Sequence, residues 1–261
     1  MAKSDGMNQF KILGCSGSIG KNGYTTCFQI NHDLLIDAGS GLFDEEPEAL
    51  KKIDKIFVTH SHLDHILGIP LLADLAGFYR EKPIEIFAHP TTIDVLKNHI
   101  FNNSIWPDFT HIPEKQNPYL KLKGIDPHED YLHDGLKITP FEVNHTVPCF
   151  GYKIESDKHG IIFSGDTGPS DRLIEVINES TNLKAVIIDV SFENERKKIA
   201  ELSKHFSPTS LLTALNQINT PQNIYITHQK PGSEKIILDE IAQTKTNHRI
   251  QYLKRNTIIQ F

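Results

Sequence analysis

The sequence has no run of about 18 apolar residues, the length a membrane-crossing helix requires, and its opening, MAKSDGMNQF, carries no apolar stretch of the kind found in a secretory leader. Cysteine is scarce. Cys15, Cys27 and Cys149 are odd in number and form no CxxC pair, which points to reduced thiols in a cytoplasmic protein. Positive charge is in deficit: 27 Lys and Arg face 33 Asp and Glu, a net charge of −6. That balance argues against a broad phosphate-binding surface, although a local basic patch is compatible with it. No repeat, low-complexity tract or Gly/Pro/Ser-rich linker interrupts the chain, so residues 1–261 read as a single domain. What is present is ordinary globular composition, 38% hydrophobic and 23% charged, sufficient for a sizeable core. It comes with 14 histidines, and their placement decides the rest.

Short β-type runs separated by turn signals dominate the first half: Phe10 to Leu13, TCFQI, DLLIDAG, KIFVTH and IEIFAHP. Between the last two, HILGIPLLADLAGFYR has helical spacing. Further strands are expected at LKITPFEV, FGYKIES, GIIFSGD, KAVIIDVSF, NIYITH and RIQYLK. Helices are expected at TTIDVLKNHI, SDRLIEVINES, SPTSLLTALNQI and EKIILDEIAQ. Strands come in runs and then alternate with helices, an α/β (α+β) pattern that suits two packed sheets with helices outside them. The stretch from Phe101 to Pro127 is aromatic, contains proline and lacks clear periodicity. An irregular segment of that length in a compact domain usually serves function.

The chemistry concentrates in Thr59-His60-Ser61-His62-Leu63-Asp64-His65, directly after the apolar strand KIFV. Three imidazoles and a carboxylate within six positions form a donor set for zinc, manganese or iron. Three more candidate ligands follow at strand ends: His145 in FEVNHTVP, Asp166 in IIFSGDTG and His228 in IYITHQKP. Asp37, ending DLLID, and Asp189, ending KAVIID, are each either a carboxylate that orients a ligand imidazole or a cap of a turn or helix.

The HxHxDH string and the ordered ligands after it resemble the signature of the metallo-β-lactamase superfamily. The resemblance implies the four-layer αββα sandwich of that superfamily and two divalent metal ions, zinc first, manganese or iron otherwise. His60, His62 and His145 would hold one ion. Asp64, His65 and His228 would hold the other, and Asp166 would bridge them. A water shared by two cations loses its proton readily, which supplies a metal-bridging hydroxide as nucleophile.

LSKHFSP, with His205, is similar to the motif of the superfamily's phosphodiesterases. The segments HLDHILGIPLL, LKNHIFNNSIWPDFT and VSFENERKKIAELSKHFSP look like those of the class II cyclic-nucleotide phosphodiesterases. That resemblance implies hydrolysis of 3′,5′-cyclic nucleotides, cyclic AMP or cyclic GMP, to 5′-nucleotides. His205 would assist the departing oxygen, unless it is a surface histidine capping a helix. With His205, Asp64 and Asp166 are the expected catalytic residues. For the base, Trp106, Asn103, Phe109 and Phe150 are candidates, with Phe101 and Asn102 beside them; packing of the aromatics onto the core is the competing reading. The runner-up activity is a tRNA 3′-processing endonuclease resembling ribonuclease Z, disfavoured by the acidic balance and by the lack of a basic Gly/Pro-rich insertion. A non-catalytic metal-binding or sensing module is weaker still, because the ligand set is complete. The expected partner is therefore a small cyclic nucleotide, with neither membrane nor nucleic acid. A homodimer is the oligomer that the resemblance suggests.

Overall fold

The structure is a computed structural model and describes residues 7–261. The first half supplies β1 (Gln9–Gly14), β2 (Cys27–Ile30), β3 (Leu34–Ile36), β4 (Lys55–Phe57), β5 (Ile84–Ala88), a small hairpin of β6 (Pro113–Glu114) and β7 (Asn117–Pro118), and β8 (Leu120–Gly124). The second half supplies β9 (Tyr131–His133), β10 (Leu136–Glu142), β11 (Phe150–Glu155), β12 (Gly160–Phe163), β13 (Leu183–Asp189), β14 (Asn223–Thr227), β15 (Arg249–Tyr252) and β16 (Ile258–Gln260). They form two seven-stranded sheets, ordered β16-β1-β2-β3-β4-β5-β8 and β15-β14-β13-β12-β11-β10-β9.

Side-chain alternation along the strands explains the layers. In β3, Leu34 and Ile36 face one way and Leu35 the other; in β13, Ala185 and Ile187 oppose Val186 and Ile188. A period of two with both faces apolar makes a strand buried on both sides. One set of faces meets between the sheets, where Phe28 of β2 packs edge-on against Phe163 of β12 at 4.9 Å. The outer faces are covered by helices. The helix Gly68–Gly77 lies on the first sheet, and the helices Asp171–Glu179, Pro208–Leu215 and Glu234–Ala242 lie on the second. This is the αββα sandwich. Fully burying each such Phe, Leu or Ile contributes about 1.5–3 kcal/mol.

Two departures from the sequence reading concern one strand and one helix. Leu120–Gly124, inside the stretch read as irregular, is the edge strand β8, paired in parallel with β5. Its sequence, LKLKG, offers only two apolar side chains, too few to mark a strand by pattern. The segment TTIDVLKNHI is helical through Val95 and then widens into a π turn at Leu96–Ile100. Among the described residues, no helix is long and apolar enough to cross a membrane.

The sheets are also tied by polar bonds where β4 ends. The buried Tyr152 hydroxyl donates to the Val58 carbonyl at 2.7 Å, and the Phe150 amide donates to the Thr59 carbonyl at 3.0 Å. These bonds hold the HSHLDH loop against the second sheet.

Candidate metal centre

Every candidate ligand lies beyond the end of a strand. His60 follows β4, His145 follows β10, Asp166 follows β12 and His228 follows β14. Strands β12, β13 and β14 run parallel, as do β3, β4 and β5, so their carboxyl ends open on one edge, where open α/β sheets commonly bind ligands. A short helix, Leu63–Ile66, begins inside the loop and carries Asp64 and His65.

The structure brings all seven candidates together. Potential ligand atoms of His60, His62 and His145 lie within 4.8 Å of one another, as do those of Asp64, His65 and His228. Asp166 sits among both sets: its Oδ2 is 3.8 Å from His60 Nε2, 3.3 Å from His65 Nε2 and 3.2 Å from His228 Nε2. Neither His60 Nε2 nor Asp166 Oδ1 has a hydrogen-bond partner among the described residues, although both atoms are buried. Orphaned polar atoms inside a protein are costly. Here they belong to imidazole and carboxylate groups converging on one space, which fits divalent cations.

The electrostatics agree. Burial, reinforced by the neighbouring His65, pushes the His60 imidazole well below its usual range, which favours the neutral form that binds metal. Burial likewise lowers His145 to about 4. Burial opposes charge on Asp166, but the surrounding His228, His65 and His60 outweigh it and hold the carboxyl well below the usual range.

Behind the cluster stands a layer of hydrogen bonds. Asp37 accepts from His65 Nδ1 at 2.7 Å and from the Thr59 amide at 2.7 Å, and its Oδ2 accepts from the Thr59 hydroxyl at 2.8 Å. That hydroxyl lies 2.9 Å from His60 Nδ1, so one carboxylate fixes two imidazoles. On the other side, Asp189 accepts from His205 Nδ1 at 2.5 Å, from the Thr167 amide at 3.0 Å and from the Ser191 hydroxyl at 2.7 Å. Ser191 Oγ also lies 3.0 Å from His228 Nδ1. Both aspartates are completely buried; each orients imidazoles and neither caps a surface turn. His228 itself has a left-handed backbone, φ +65°. Gly17 packs so closely on it that a Cβ there would overlap the His228 carbonyl.

A match to the model of the beta-lactamase superfamily domain extends over residues 32–228, from the turn before β3 through the last candidate ligand. The chain belongs to this superfamily. Among curated proteins, this superfamily member is 29% identical over 224 residues to 3′,5′-cyclic-nucleotide phosphodiesterase 1 of Saccharomyces cerevisiae, covering 72% of this chain and 59% of that one. It is 27% identical over 227 residues to a probable 3′,5′-cyclic-nucleotide phosphodiesterase of Yersinia pestis, covering 74% and 63%. The chain thus spans about three fifths of the length of these two relatives. A ribonuclease Z of Thermococcus kodakarensis is 34% identical, but over 133 residues, 49% of this chain and 39% of that one. In fold, the crystal structure of unliganded yeast PDE1 superposes with a TM-score of 0.82 at 22% identity, covering 98% of this chain and 100% of that one. The chain thus carries the superfamily's domain, and proteins named as cyclic-nucleotide phosphodiesterases and as a ribonuclease Z are among its relatives.

The residues expected to bind a base are dispersed. Phe109 is buried beneath the first sheet's helices, its ring edge-on to Tyr119 at 5.4 Å. Trp106 packs half-buried on the same core. Asn103 is exposed, and its side-chain oxygen accepts from the Asp108 amide; Asn102 in the same way holds the Ser104 and Ile105 amides. Phe150 lies fully buried between the sheets. Phe109 and Phe150 are buried in the core, and Trp106 lies half-buried against it.

The cleft beside the cluster is lined instead by residues that sequence reasoning missed. His89, Glu142, Asn144 and Lys204 border it with His145. Lys204 clamps His145 from both ends: its carbonyl lies 3.3 Å from His145 Nδ1 and its Nζ donates to the His145 carbonyl at 2.8 Å. A left-handed backbone, φ +53°, permits both contacts. Its place directly before His205 is the one sequence signal that could have drawn attention to it.

Asp37→Asn tests the supporting layer. It retains shape but weakens the hold on His65 and Thr59, and it is expected to lower metal affinity about 10–100-fold. Competition with a chromogenic chelator measures the change.

Proposed function

We propose that residues 1–261 form one metallohydrolase domain that cleaves 3′,5′-cyclic nucleotides to 5′-nucleotides. His60, His62 and His145 would hold one divalent cation, Asp64, His65 and His228 a second, with Asp166 shared. Such cations, when bound, polarise phosphoryl oxygens and bring water to a pKa near about 7.

The observation that carries the phosphodiesterase reading is the setting of His205. Its Nδ1 is pinned by Asp189 at 2.5 Å, its ring stacks on that of His228 at 5.4 Å, and it reaches the same 4.8 Å cluster as His145 and Asp166. Burial disfavours its imidazolium, but the charge of Asp189 and the hydrogen bond to it prevail and raise the pKa. A histidine so held keeps a proton to give. In hydrolysis the attacking water forms the new P–O bond, the P–O3′ bond breaks, and the proton passes to O3′, a poor leaving group without it. The role of the two relatives named as cyclic-nucleotide phosphodiesterases supports the same substrate class.

Cleavage of precursor tRNA is the second reading, favoured by the higher local identity to ribonuclease Z. Incubation of metal-quantified protein with cyclic AMP, cyclic GMP and precursor tRNA separates the two. Conversion of a cyclic nucleotide to its 5′-nucleotide is the expected result. Cleavage of the RNA alone would replace the proposal, and tight nucleotide binding without turnover would point to a sensing module.

A further inference from the structure

The cleft beside the cation cluster encloses about 430 Å³, within the range of roughly 300–1,000 Å³ typical of small-molecule sites. One end of it is the ligand His145, so a phosphate at the cluster would leave the rest of its molecule in this cleft. Val143, Val147 and Pro148 line it as apolar walls suited to a flat ring. Its polar groups are unequal. Lys204 is committed to His145, and the Asn144 side chain donates to the Pro169 carbonyl at 3.0 Å.

Glu142 differs from both. It is the last residue of β10, in phase with Leu136 and Ile138 on the face between the sheets and opposite Phe141, and it is exposed where the strand ends. Its carboxylate has no hydrogen bond or ion pair among the described residues. A site that must admit an anionic phosphodiester gains nothing from an additional negative charge unless that charge recognises something else in the substrate.

Hydrogen-bond chemistry says what. An ionised carboxylate only accepts. Guanine presents N1–H and the 2-amino group side by side, two parallel donors that match two carboxylate oxygens. Adenine presents the N1 acceptor between a single 6-amino donor and a C2–H, so it offers a carboxylate at most one hydrogen bond and no parallel pair. Resting on the cyclic-nucleotide reading above, we propose that Glu142 is the base-reading residue of this cleft and selects guanine, making cyclic GMP the preferred substrate. One well-formed bidentate contact discriminates between bases by about tenfold or more.

The test compares steady-state kinetics of the metal-loaded full chain and its Glu142→Gln variant. The substrates are cyclic GMP, cyclic AMP, cyclic IMP and bis(4-nitrophenyl) phosphate. In the unaltered protein, kcat/KM for cyclic GMP should exceed that for cyclic AMP by about tenfold or more, with cyclic IMP, which keeps N1–H and lacks the 2-amino group, in between. Glu142→Gln should raise KM for cyclic GMP by about tenfold with little change in kcat. Cyclic AMP and the aryl diester should stay within about threefold, which also shows that the variant is folded and loaded. Equal use of the two cyclic nucleotides, or equal loss of both in the variant, would overturn the role of Glu142. Turnover of the aryl diester with none of any cyclic nucleotide would overturn the cyclic-nucleotide reading itself.

Discussion

Asp166→Ala is expected to lose bound metal and phosphodiester turnover together. The carboxylate lies 3.3 Å from His65 Nε2 and 3.2 Å from His228 Nε2 in one half of the cluster and 3.8 Å from His60 Nε2 in the other, so it faces both halves. Removing it would leave one set, His60, His62 and His145, with neutral donors alone and the other with Asp64 as its single carboxylate, little charge to offset cation repulsion. Elemental analysis after gel filtration should find metal content reduced to about a tenth or less, and kcat/KM should fall by about a thousandfold or more, the scale of losing metal-activated water. Full metal content in the variant would show that Asp166 is not shared between the cations.

His205→Ala should behave in the opposite way, keeping metal and losing rate. The histidine contacts the cluster through its ring but is secured from behind by Asp189 and Ser191, so the remaining donors are left in place. For a cyclic nucleotide, kcat should fall by about 10²–10⁴-fold, the usual worth of a proton donor at an alkoxide leaving group. The decisive measurement uses bis(4-nitrophenyl) phosphate as well. Nitrophenolate departs without a proton, so that substrate should lose less than about tenfold in the same variant. An equal loss on both substrates would assign His205 to electrostatic support of the centre instead of proton transfer.

The parts of the site that could be read from sequence are those whose chemistry is dense along the chain. His60, His62, Asp64 and His65 stand out because no hydrophobic core uses so many ionisable groups in one turn. His145, Asp166 and His228 were accessible through their order and their position after apolar runs. Ser191, Thr59 and Lys204 were not. Ser191 matters because folding brings Asp189, His205 and His228 to one hydroxyl, and a serine carries no mark of such company in its own neighbourhood. Glu142 looks in sequence like any exposed residue ending a strand. The layers of the fold were legible because β3, β4, β12 and β13 are apolar on both faces, and the edge strand β8 was not because lysines occupy its outward positions. The segment around Trp106 carried two readings for a related reason: aromatic side chains that could stack on a base serve equally well to seal a sheet.

Strand β16, Ile258–Gln260, pairs with β1, Gln9–Gly14. During synthesis the first sheet therefore has an open edge at β1 until residues 258–260 have left the ribosome, and the donor at residue 228 emerges only shortly before. Until then the loop at residues 60–65 would offer only part of the donor set. Cations bound by the complete set of donors would consequently be captured only after residue 228 has emerged and β14 has joined its sheet.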